Sequence, residues 1–65
     1  MPWSTYALDT LAMALAGSGA CDEAVQTEER ALELIQEERN PELDRVLRER
    51  LAGLTDGTLC PARTP

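Results

Sequence analysis

The chain has no His, no Lys and no Phe, and one Trp and one Tyr among its 65 residues. With no His and two cysteines, a four-ligand Cys/His zinc site within one chain is excluded. All six basic residues are Arg, set against twelve acids, and the formal charge is −6. Such a surface repels phosphate backbones and anionic membranes, so neither nucleic acid nor a membrane is an expected partner. No run approaches the roughly 20 apolar residues of a membrane span. The start lacks a basic segment and Asp9 interrupts a short apolar run, which argues against a signal peptide. The expectation is a soluble, cytoplasmic protein in which Cys21 and Cys60 remain thiols, with a bond between them as the alternative. No phosphate loop, no nucleophile with its base and no cofactor signature is present. Catalysis, a cofactor and a metal are therefore not expected.

Large side chains are scarce too. Ordering 65 residues costs on the order of 100 kcal/mol of conformational entropy, at about 1.5 kcal/mol each. The apolar residues are mostly Ala and Leu, and Ala buries little area. A chain this short with so thin a core needs a staple, a metal or a partner.

What is present is helical periodicity. Leu8, Leu11, Ala12 and Leu15 fall at i, i+3, i+4 and i+7, the spacing of a buried helical face. Ser4 is the expected N-cap, with Thr5 as the alternative. Tyr6, Met13 and further alanines widen the apolar arc, so a second side of this helix is expected to meet something. Gly17-Ser18-Gly19 ends the helix near Ala16, and so short a turn forces an antiparallel neighbour.

A second helix is expected from Cys21 or Asp22 to about Arg39, with Ala24, Val25, Ala31, Leu32 and Ile35 on its apolar face. Asn40-Pro41-Glu42 is a strong helix start. The third helix carries Leu43, Val46, Leu47 and Leu51, with Asp44–Arg48 and Glu42–Arg45 spaced to pair on its surface. Gly53 is expected to end it, with Leu54 folding back. The fold class is thus all-α: a helical hairpin with a third closing helix over residues 1–54, then an irregular tail over 55–65 in which Leu59 can dock.

The helix pair resembles a single tetratricopeptide repeat over about Thr5 to Glu38. Leu8, Leu11, Ala12 and Leu15 match that family's first helix, with Ala12 at its small position. Gly19 matches the turn, and Ala24, Ala31 and Leu32 match the second helix. The third helix resembles the solvating helix that closes a repeat array. Three positions depart from the pattern. Cys21 and Glu28 stand where aromatic residues are usual, and Gln36 stands where Pro commonly ends the second helix. The resemblance implies binding of a protein or peptide, or a role in assembly. Because a repeat array needs about three units to bury a continuous core, one unit implies a further copy or a longer array.

Several side chains bear on chemistry. Glu29, Glu33 and Glu37 recur at i+4 and read as a solvated acidic stripe, the sharper alternative being a row that binds a cation or an Arg-rich partner. Glu28 reads as a half-wet rim residue paired with Arg; if buried, its pKa would rise. Cys21 reads as a small turn residue. Trp3 and Tyr6 either stack on a partner or cover the open end of the hairpin. The interaction candidates are therefore Trp3, Tyr6, Met13, Glu28, Glu29 and Glu33. The functional expectation is an interaction module that self-associates, most simply as a dimer. The alternative is a small acidic regulator that neutralises a basic partner.

Overall fold

A computed structural model describes residues 4–60. Three helices account for most of them: α1 (Thr5–Gly17), α2 (Cys21–Glu38) and α3 (Pro41–Asp56). Trp3 and residues 61–65 lie outside the described residues. No strand occurs among the described residues, and the fold is all-α. Each helix runs antiparallel to the one before it, and α2 lies between α1 and α3 in a slab of 38 × 25 × 12 Å.

Ser4 is the cap of α1: its Oγ accepts from the Ala7 amide at 3.0 Å. Thr5 is the first helical residue. It is buried, and its hydroxyl donates to Glu38 at 2.8 Å, tying the start of α1 to the end of α2. The reversal after α1 depends on Gly19, whose φ of 89° lies in the left-handed region. That conformation lets the amides of Gly19 and Ala20 bond back to the carbonyls of Ala16 and Leu15, at 3.1 and 2.9 Å. Helix α2 stops at Glu38, one residue earlier than expected, because Arg39 itself adopts the left-handed cap at φ 55°. Asn40 then caps α3 through its side chain, at 3.1 Å from the Leu43 amide, with Pro41 in the first turn.

Gly53 does not end α3. The helix continues to Asp56 and is closed by Gly57. Gly53 has a different use, which is to leave space for the returning chain. Leu59 lies where a Gly53 Cβ would be, and its amide donates to the Gly53 carbonyl at 2.9 Å. This return brings Cys60 to Cys21, and the two form a disulfide with Cα atoms 5.8 Å apart. The expectation of free thiols is therefore corrected. A loop of 39 residues closed in this way is stabilised by about 4 kcal/mol, mainly through loss of freedom in the unfolded chain. This is the staple that the thin core calls for.

The apolar core falls into two parts. At one end, Leu8 packs with Ala31, Ile35, Leu43 and Leu47, flanked by half-buried Leu32 and Leu34. At the other, Ala16, Cys21, Ala24, Leu54 and Cys60 pack together, flanked by Met13, Leu15 and Val25. Ala12 and Ala24 are fully buried, as expected for close helix crossings. The face of α1 differs from the expected one. Its buried residues are Thr5, Leu8, Asp9, Ala12 and Ala16, while Leu11 is 37% exposed and Leu15 is half-buried. The stripe is rotated because the small residues, not the leucines, let α1 approach α2. On α3, Leu51 is only half-buried.

Candidate functional site

A layer of charge separates the two apolar clusters, and each helix supplies one residue to it. Asp9 comes from α1, midway between Thr5 and Ala12 on the buried face. Glu28 comes from α2, between Ala24 and Ala31. Arg50 comes from α3, between Leu47 and Leu54. Helical periodicity directs all three inward.

Arg50 pairs with Asp9 through Nη1 and Oδ2, while its own side chain keeps one flank in solvent. Glu28 is 0% exposed, which corrects the rim position expected for it. No donor group reaches either of its carboxyl oxygens or Asp9 Oδ1. Burial pushes the Glu28 carboxyl up to about 8, followed by its hydrogen bond with Asp9 and that residue's charge; Arg50 opposes the shift. Two carboxylates at hydrogen-bonding range can share a contact only if one of them holds a proton. With Glu28 protonated, its O–H donates to Asp9.

The second candidate is the outer face of α1. Tyr6 is 63% exposed and, with Ala7, Thr10, Leu11 and Ala14, lines a shallow apolar groove. No charged side chain enters it, because Asp9, the only ionisable acid or base in α1 apart from Tyr6, points the other way. The sequence-expected candidates thus divide among three places. Tyr6 sits on this outer face. Met13 packs half-buried beside the disulfide. Glu28 is interior, while Glu29 and Glu33 are exposed on the far side of α2. Trp3 lies outside the described residues. No single site collects them.

On the surface, the Asp44–Arg48 pair forms at 2.8 Å, and that bond holds the Asp44 carboxyl below its ordinary value. Glu42 and Arg45 do not pair. The Asp56 carboxyl, bonded by Thr58 beyond the end of α3, is likewise held low. Among the described residues no cluster of three or more His, Cys, Asp or Glu could hold a metal, and no helix is long and apolar enough to cross a membrane.

Asp9, Arg50 and the Thr5–Glu38 contact carry no motif in the sequence. The signal for Asp9 was available: it lies at i+4 from Thr5, i−3 from Ala12 and i−7 from Ala16, on one helical stripe. These features define a disulfide-stapled, three-helix protein with an interior charge layer and one uncharged outer face. No family model matches the chain, and neither a curated protein nor a solved structure does.

Proposed function

We propose that the chain is a protein-interaction module that self-associates through the outer face of α1. The observation that carries this is the uncharged, apolar groove along Tyr6, Ala7, Thr10, Leu11 and Ala14 on a protein whose net charge is −6. Helix α2 has Arg30 as its one base among seven acids. Two copies meeting through α2 would oppose their carboxylates, whereas two meeting through α1 would not.

The spacing of the groove favours a second copy over an unrelated helix. In a two-fold contact, residue i meets j and j meets i. The stripe is symmetric about a point between Thr10 and Leu11. An antiparallel pair of α1 helices matches Ala7 with Ala14 and Thr10 with Leu11, with Tyr6 at either end. The two alanines permit close approach at either side of the crossing. Likeness to a single tetratricopeptide repeat agrees with this reading, since such a unit relies on a neighbour for its open face. The bonded cysteines favour an oxidising compartment, in contrast to the cytoplasm expected of free thiols.

One helix face makes a small interface, at or below about 1,200 Å² in total, so a dissociation constant of about 10 μM is expected. Sedimentation equilibrium of the full chain, disulfide intact, tests this. A dimer at about 100 μM that Leu11→Arg converts to a folded monomer supports the proposal. A wild-type chain that stays monomeric at that concentration overturns it.

The acidic face of α2 supports a second reading, that of a regulator neutralising a basic partner. Such a complex would weaken steeply with salt. Binding to a basic partner that is unchanged at high ionic strength would dispose of it.

A further inference from the structure

We infer that folding of this chain takes up one proton onto Glu28, so that the packing of α1 and α3 against α2 loosens as the pH rises through neutrality. The charge layer is the geometric basis. Its three members are one from each helix, two carboxyls and one guanidinium. Arg50 balances Asp9, to which it is bonded. A second negative charge on Glu28 would have to share that one guanidinium with Asp9 and would have no contact with solvent, since the residue is 0% exposed.

The surroundings offer no relief from elsewhere. Asp9 is the only charged residue on α1. On α3, Arg48 is committed to Asp44 on the surface, leaving Arg50 as the facing cation. Glu38, near the other end of α1, accepts from Thr5. Three oxygens without donors, two on Glu28 and one on Asp9, lie in the same interior layer. One proton on Glu28 supplies a donor where none exists and removes the surplus charge. Losing that proton sets two carboxylates against each other across the α1–α2 crossing. The layer lies between the two apolar clusters, so its repulsion acts on the contacts that hold all three helices.

The sign follows from the raised value. Between its ordinary 4.5 and about 8, Glu28 binds a proton in the folded chain but not in the unfolded one. The contribution to stability is complete below that window and is lost as the pH climbs through it. The folding constant falls by up to tenfold per pH unit and levels off above about 8. Few other groups confuse this interval, because the chain has no His and Cys21 and Cys60 are bonded.

The test is urea unfolding of the full chain, disulfide intact, followed by circular dichroism from about pH 5.5 to about pH 9. The wild type should lose up to tenfold in folding constant per unit until the curve flattens. Glu28→Gln carries an amide that donates to Asp9 without titrating, and its profile should be flat. Carbon-13 NMR of the Glu28 carboxyl in the folded wild type should show a midpoint near 8. A flat wild-type profile, an unchanged slope in Glu28→Gln, or a Glu28 midpoint among those of the exposed glutamates overturns the inference. The NMR reading needs no variant, so it decides the matter even if Glu28→Gln does not fold.

Discussion

The side chain of Leu59 occupies the place where Gly53 would carry a Cβ, which would stand 2.7 Å from Leu59 Cγ. The contact explains why a glycine persists inside α3 and how the chain turns back to present Cys60 to Cys21. Gly17 provides the comparison. It is also helical, but a Cβ there would meet nothing within 4 Å. Gly17→Ala should stabilise the fold by about 0.5–1 kcal/mol through lower unfolded-state entropy. Gly53→Ala should give no such gain, because Leu59 must move, and should speed reduction of the disulfide by a thiol reagent. Thermal melts and reduction rates of the two variants check both statements.

Opening the Cys21–Cys60 bond should cost about 4 kcal/mol, the loop-closure entropy of its 39-residue separation. For a chain of this size that loss is comparable with the whole of its stability. The expected result is a sharp drop in melting temperature on adding a reductant, reproduced by Cys60→Ser. Equal melting of the oxidised and reduced chains would show that the core suffices without its staple.

Two arginines of α3 should behave differently. Arg48 pairs with Asp44 in solvent, and Arg48→Ala should cost no more than about 0.5 kcal/mol. Arg50 pairs with Asp9, a buried carboxylate whose second oxygen has no partner. Arg50→Ala leaves that charge uncompensated and should cost about 2 kcal/mol, less than for a fully enclosed pair because Arg50 is itself partly exposed. Chemical denaturation of both variants near pH 6, where Glu28 holds its proton, gives the comparison.

The rotated stripe of α1 leads to a contrast between two leucines. Leu8 is buried with Ile35 and Leu47, and Leu8→Ala should cost about 2–3 kcal/mol. Leu11 lies on the outer groove, and Leu11→Ala should cost under about 1 kcal/mol in dilute solution. The same substitution should weaken self-association measurably at high concentration. Unfolding at low concentration and sedimentation at high concentration separate the two effects.

Much of the architecture was legible from local chemistry. Ser4, Gly19 and Asn40-Pro41 are capping and turning residues whose preferences act within a few bonds, and each stands at the helix end expected of it. The apolar face of α2 was equally clear, since Ala24, Ala31 and Ile35 leave little choice of side. On α1 the leucine spacing points to a different side from the buried face. The helix crosses α2 on Asp9, Ala12 and Ala16, because small side chains permit close approach and exposed leucines do not prevent it. Gly53 misled for a related reason. A glycine near a helix end serves equally as a cap or as a gap for a neighbour, and only the position of Leu59 separates the two.

The amino-acid order by itself determined the helices, their turns and the uneven charge that crowds onto α2, because these depend on residues within a turn or two of one another. Tertiary structure alone decided that Glu28 is interior, that Asp9 and Arg50 are its neighbours, and that Cys21 and Cys60 are joined. Each of these relations spans 19 to 41 positions in the chain. Charge and thiol chemistry at such separations are set by which surfaces lose their water, and that is settled only when the helices pack.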